Sequence, residues 1–271
     1  MRFTVFGGQG FIGGELARSL RSAGHEVVIP ARGSIHDTPP SGGYGHAVWA
    51  IGLTADFRSR PFDTVEAHVS ALAPVLNGGA FESFLYLSST RVYMRADVTD
   101  EDAPLPVASA DPSDLYNVSK LCGEALCLAR PNTRIARLSN VLGPGEGARD
   151  TFIGALCRQA AAGRIRLQSD PASLKDYVWI DDVVTYLAQI ALTGRQRIYN
   201  VARGSRIRHD AWVAALAAVT GADADCPDGL PETSFLPIET GRLVAEFGPA
   251  RTDPLDRVDR IAAPSAPTSI L

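Results

Sequence analysis

Strand-like and helix-like patterns alternate from the first residue of this 271-residue chain, and that alternation restricts the fold more than any other feature. "RFTVFGG" is a short β-branched and aromatic run that ends in glycines, and "FIGGELARSLRSAG" has helical periodicity closed by a glycine. "HEVVIPARG" and "HAVWAIG" read as buried strands, "DTVEAHVSALAPVLNGGA" as a helix and "SFLYLSST" as a strand. "SDLYNVSKLCGEALCLAR" reads as a long helix and "TRIARLSNVLG" as one strand. Strands separated by helices must lie parallel, because a crossover helix returns the chain to the same end of the sheet. The expected fold class is therefore α/β with a doubly wound parallel sheet. After Gly143 the pattern loosens into a helix over "TFIGALCRQAAAG", a short strand "RIRLQS" and an extended run entering a helix over "DYVWIDDVVTYLAQIALTG". A strand "RIYNVA", a helix "HDAWVAALAAVTG" and a frayed tail "IAAPSAPTSIL" follow.

The turn "GGQGFIGG" joins the first strand to the first helix, with Gly7, Gly10 and Gly13 spaced three apart. Gly7 suits a tight turn, Gly10 lets backbone approach a pyrophosphate, and Gly13 allows the helix to pack close to the sheet. Phe11, Ile12 and Gly13 then offer free N–H groups at the positive end of the helix dipole. This is the dinucleotide cradle of a Rossmann-type sheet, so residues 1–142 are expected to form an NAD(P)-binding core with returning segments at about 175–202. Residues 143–174 and 203–271 would make a small substrate-binding lobe and tail. An acid at the end of the second strand would accept hydrogen bonds from a ribose 2′-hydroxyl; here Ala31 and then Arg32 stand there. A guanidinium favours a 2′-phosphate, so NADP is expected ahead of NAD.

"DLYNVSK" sets Tyr116 four residues before Lys120, one turn apart on one helical face. An ammonium beside a phenol favours the phenolate and lowers the Tyr pKa toward working pH. The net charge of −4 argues against nucleic acid as a partner. No run of 18 apolar residues points to a membrane span, and "MRFTVFGGQGFIGG" has neither the basic start nor the cleavage site of a targeting segment. Cys122, Cys127, Cys157 and Cys226 lack metal-ligand spacing and read as free thiols in a reducing cytoplasm, with no metal site expected.

Taken together, "GGQGFIGG", "FLYLSSTRVY", "YNVSK", "RLSNVLGPG", "KDYVWIDDVV" and "IYNVA" occur in the order of the extended short-chain dehydrogenase/reductase family, which the chain resembles over roughly residues 1–250. These are the NAD-dependent epimerase/dehydratase enzymes of nucleotide sugars. The resemblance implies that Ser89 hydrogen-bonds the reacting oxygen, Tyr116 is the acid/base, and Lys120 tunes it and grips the nicotinamide ribose. It implies substrate contacts at Thr90, Asn140 and Lys175, the last two near a diphosphate. It also implies a nucleotide-sugar substrate and a homodimer formed through the YxxxK helix and its predecessor.

Four departures from the family pattern bear on the reaction. Sugar 4,6-dehydratases carry an Asp–Glu pair after the catalytic hydroxyl residue, whereas this chain has Thr90 and Arg91, so dehydration is not expected. The Cys and His of epimerase–reductases that invert two centres are missing as well. A keto-reduction or an epimerisation through a transient ketone needs no further acid, and the NADP reading favours net reduction; a reductase of a small non-nucleotide carbonyl is the remaining alternative. Residues 33–45, "GSIHDTPPSGGYG", replace the strand and helix that the family usually has there, leaving adenine recognition open and the sheet one strand narrower. His68 stands where relatives have Asn. It is not read as catalytic; His25 reads as structural, and Asp181 and Asp182 as a helix N-cap or dipole partner.

Overall fold

The computed structural model describes residues 1–35, 42–53, 56–145 and 151–262. Its centre is a six-stranded sheet in the order β2-β1-β3-β4-β5-β9. The strands are β1 (Arg2–Phe6), β2 (Glu26–Val28), β3 (His46–Trp49), β4 (Ser83–Ser89), β5 (Thr133–Leu138) and β9 (Ile198–Val201), all paired in parallel. Successive residues of a strand serve opposite faces. Leu85 of β4 joins a core with Leu16 and Leu20 of α1 (Phe11–Ser22) and Val183 and Leu187 of α6 (Ile180–Thr193). Phe84 and Tyr86 join the opposite core with Leu72 of α3 (Leu72–Gly78) and Cys127 of α4 (Leu115–Leu128). Each such fully buried side chain contributes roughly 1.5–3 kcal/mol, so the sheet is held from both sides.

The chain leaves β1 toward β2 and then returns to β3 on the other flank of β1. That reversal opens a crevice at the carboxyl ends of β1 and β3, the place where open α/β sheets bind ligands. Before α3, α2 (Pro61–Val65) runs into a π-helical turn over Glu66–Ser70, where the sequence suggested one uninterrupted helix. Between β2 and β3 the described residues hold a single 3₁₀ turn (Arg32–Ser34) and no strand, while residues 36–41 of the unusual loop lie outside the described residues.

The segment 133–143, expected as one strand, divides at Ser139. Its first part is β5; the second, β6 (Asn140–Leu142), leaves the central sheet and pairs with β8 (Leu174–Trp179). Ser139 marks the break: its N–H donates to Val201 O at 3.0 Å while its hydroxyl bonds Asp176 at 2.6 Å. β10 (Arg206–Arg208) completes a three-stranded sheet antiparallel to β8. The segment expected to return from about 175 thus separates, β8 joining the small sheet and α6 and β9 the central unit. A parallel pair of β7 (Arg164–Arg166) and β11 (Asp223–Asp225) lies beside it, with α5 (Phe152–Ala161), α7 (His209–Thr220) and α9 (Val258–Ala262) packed together. The helix α8 (Gly241–Phe247) packs on β9. The tail from 263 lies outside the described residues.

Asp181 and Asp182 do not cap α6, whose N-cap is Trp179 without a side-chain bond, but both lie in its first turn as partners of the helix dipole. Asp181 accepts from the Trp179 indole at 3.2 Å and Asp182 from the Thr252 N–H at 2.9 Å, so the second acid ties the C-terminal segment to α6. His25 packs edge-on against Phe3. All four cysteines are free; among the described residues no helix is long and apolar enough to cross a membrane, and no three His, Cys, Asp or Glu are grouped as metal ligands.

Candidate active site

A cleft of about 470 Å³ lies over the carboxyl ends of the strands, between the central sheet and the smaller one. The glycine turn forms one wall. Gly7 has φ +81°, and a Cβ there would sit 2.8 Å from the Ala50 carbonyl. At Gly13 a Cβ would lie 2.4 Å from Gly7 O, so only glycine lets α1 approach the turn. Gly10 is different: a Cβ would meet nothing closer than 3.4 Å, and the residue faces the cleft. No side chain caps α1, which leaves the N–H groups of Phe11, Ile12 and Gly13 directed to this space. The backbone therefore fits a pyrophosphate, and the fit comes from open space at Gly10 together with uncapped donors. Arg32 sits just beyond β2, exposed and outside the cleft wall.

Ser89, Thr90, Tyr116 and Lys120 line the same cleft. Ser89 closes β4 and its hydroxyl accepts the Arg91 N–H at 3.2 Å, starting the 3₁₀ turn Thr90–Tyr93. Tyr116 lies in the first turn of α4, 5% exposed, with ring neighbours Phe57 at 5.1 Å and His68 edge-on at 5.2 Å. Lys120, 4% exposed, points its ammonium at the Leu87 carbonyl, 2.9 Å away and 5.9 Å from the Tyr116 ring centroid.

The electrostatics differ from the expectation drawn from spacing. Burial raises the Tyr116 pKa above its ordinary value, opposed by a hydrogen bond with Ser89 and the charge of Arg91. Lys120 is itself pushed down to about 7 by burial, with Glu124 acting against the shift. Four-residue spacing fixes the shared face but not the direction of the ammonium, which backbone oxygen has claimed. Lys120→Met is accordingly expected to raise the thermal midpoint of the ligand-free protein most below pH 7. There the ammonium is charged in both states and its burial cost is fully felt. From pH 7 toward the ordinary 10.5 the unfolded chain holds the proton that the folded chain has released, so wild-type stability climbs and the gap closes. Midpoints measured from pH 6 to 9 check this; a gap independent of pH contradicts it.

His68, set on the π-turn, bonds Ser119 through Nδ1 at 2.9 Å. Burial, then the charge of Lys120, pushes its pKa down to about 2, so it is neutral at working pH. Its Nε2 and the Ser88 hydroxyl are buried with no partner among the described residues. Lys175, which also lines the cleft, lies 5.2 Å from the Phe152 ring centroid and 5.6 Å from that of Phe235, its pKa lowered by burial. Asn140 lines the cleft as well, but one amide N–H already donates to Asp176 O at 2.7 Å. Sequence reasoning missed the aromatic residues Phe57 and Phe235, which sit in segments of no distinctive pattern, and Phe152, which opens the expected helix without marking itself as a site residue, and took Arg91 only as a departure.

The family described as "NAD dependent epimerase/dehydratase family" matches residues 46–202, more than half of the chain. The chain belongs to this family. Its curated relatives include GDP-mannose 3,5-epimerase 1 of Oryza sativa subsp. indica, 24% identical over 226 residues that cover 68% of this chain and 59% of the relative. Among solved structures, MoeE5 in complex with UDP-glucose and NAD is 22% identical at a TM-score of 0.80, covering 97% of each chain. RMD from Pseudomonas aeruginosa, complexed with NADPH, is 23% identical at a TM-score of 0.79, covering 97% of this chain and 98% of that one. These likenesses show the shared Rossmann-type fold. Within the family match lie Ser89, Tyr116 and Lys120, all lining the cleft; the glycine turn, which lines it too, precedes the match.

Proposed function

We propose that the protein is an NADP-dependent oxidoreductase that reduces a keto group on a nucleotide-diphosphate sugar, with Tyr116 as acid/base. What supports this reading is that Ser89, Tyr116 and Lys120 line the same cleft as an uncapped, glycine-lined helix start. Bound in that cradle, a nicotinamide dinucleotide would supply the hydride. Tyr116 would give the proton from its phenol oxygen to the carbonyl oxygen under reduction, and Ser89 would hold that oxygen as charge develops. Lys120 would hold the cofactor ribose, and the rings around Tyr116 keep water from the phenol. Thr90, Asn140 and Lys175 would contact the substrate, the ammonium of Lys175 meeting its diphosphate. Arg32 would hold the 2′-phosphate at the surface end of the cradle.

The reading keeps a cytoplasmic homodimer. Phe62 is 88% exposed on α2 and Val118 37% exposed on α4, leaving apolar surface on the helix bearing YxxxK and on its neighbour. A second reading, an NAD-dependent epimerase, draws on the rice relative, whose printed name is an epimerase. Calorimetry with NADPH and NADH, followed by NADPH consumption on a nucleotide-linked keto sugar, separates the two. The reductase reading expects NADPH to bind about tenfold tighter or more, Arg32→Ala to erase that margin, and net oxidation of NADPH. Protein that purifies with tightly held NAD and interconverts sugars without net cofactor consumption would establish the epimerase instead.

A further inference from the structure

We infer that Arg91 binds a carboxylate on the sugar ring of the substrate, so that the site selects an acidic nucleotide sugar, of the uronic type, over its neutral counterpart. The inference rests on the nucleotide-sugar reading above. Arg91 lies two residues after Ser89 in the cleft wall, with its guanidinium carbon 5.2 Å from the Phe57 ring centroid and 5.9 Å from that of Tyr116. Its Nε is buried without a hydrogen-bond partner among the described residues, and no described carboxylate forms an ion pair with it. The nearby acids Asp111 and Asp114 are already committed to Arg95, at 2.6 and 2.8 Å. Burial disfavours the Arg91 cation, and the charge of Arg58, whose guanidinium lies on the same Phe57 ring at 4.6 Å, adds to that.

A desolvated cation without a counter-ion is costly, and two aromatic faces compensate only in part. A planar fork with open donors is also the geometry that takes a carboxylate through two parallel bonds. Three anionic groups could enter this cleft, and position separates them. The cofactor pyrophosphate belongs to the glycine turn and the substrate diphosphate to the Lys175 end. Arg91 borders the acid/base, so the group it meets is on the ring being reduced. Where dehydratases of the resembled family place acids at the positions of Thr90 and Arg91, a ring carboxylate would be repelled; here the sign is reversed.

The test uses Tyr116→Phe protein, which leaves the sugar unreacted, with NADP⁺ present, and calorimetric titration of sugar pairs that differ only at C6. UDP-glucose against UDP-glucuronate and GDP-mannose against GDP-mannuronate serve as probes. The acidic member of at least one pair should bind about 10- to 100-fold tighter. Arg91→Gln, combined with Tyr116→Phe, should remove that difference, and Arg91→Lys should restore part of it. Equal or tighter binding of the neutral sugars, or discrimination that survives Arg91→Gln, overturns the inference and leaves the nucleotide-sugar reading standing. If NADP⁺ binds but neither the sugars nor free UDP and GDP do, both fall. Thermal midpoints and NADP⁺ affinity of the variants separate lost recognition from lost folding.

Discussion

Tyr116→Phe is expected to lower kcat by about 10²- to 10⁴-fold while leaving the Kd for the dinucleotide nearly unchanged. The ring itself is a packing element, 5% exposed between Phe57 and His68, and phenylalanine preserves that packing. Only the hydroxyl is lost, together with its hydrogen bond to Ser89. Ser89 keeps the Arg91 N–H as a partner, so stability should fall by no more than about 1 kcal/mol. The same arrangement has a kinetic consequence. In the ligand-free protein burial holds the phenol above its ordinary pKa, so proton transfer at neutral pH depends on charge arriving beside it. Steady-state kinetics and calorimetry on the pair of proteins check the split between kcat and Kd. Turnover within a few-fold of wild type would remove Tyr116 from the chemistry, and loss of cofactor binding would show that the hydroxyl organises the cleft instead.

The parts of this fold legible in the sequence are those where one physical signal acts alone. β1 and β4 are short runs buried on both faces, α1 has a clean helical period, and Gly7 and Gly13 answer backbone clashes that no side chain could relieve, while Gly10 keeps the cleft open. Tyr116 and Lys120 share a face because helical geometry requires it. What was hidden depends on competition between distant segments. The apolar run through Ser139 gives no sign that it changes sheets, because the decision belongs to Asp176. That buried acid, whose pKa burial raises, accepts from Ser139 at 2.6 Å and from the Arg203 and Gly204 N–H groups at 3.1 and 2.8 Å. β10 and β11 have three residues each, "RIR" and "DAD", too short and too charged to show a period. The direction of the Lys120 ammonium was equally invisible, since Leu87 lies 33 residues away. Arg91 illustrates the reverse case: its identity was plain, but its importance lies in the absence of a described partner, which only the packing reveals.

Glu124→Gln should destabilise the protein by about 3–5 kcal/mol, on the order of 10 °C in thermal midpoint. Glu124 on α4 and Arg137 on β5 are 3% exposed each, and the guanidinium grips both carboxylate oxygens, at 3.1 and 2.7 Å. Burial works against the Arg137 cation, but the bonds and charge of Glu124 outweigh it and its pKa ends above the ordinary value. The remaining donor reaches Tyr93 at 2.7 Å, whose hydroxyl donates to Asn200 on β9 at 2.8 Å. A glutamine would leave this chain of bonds intact but strand a buried charge, the costly half of a broken pair. Glu124→Leu combined with Arg137→Met removes both charges and should recover most of the loss, which a plain packing defect would not do. The consequences extend to the cleft, one turn along the same helix. Glu124 is the group that favours the charged form of Lys120, so the glutamine variant should show Lys120 losing its proton at still lower pH. Any activity that needs the ammonium would then fall off earlier as pH rises. Denaturation curves and pH–rate profiles of the single and double variants decide between this coupling and a local packing effect. A single variant within about 1 kcal/mol of wild type would show that the pair is not a principal support of the helix bearing Tyr116 and Lys120.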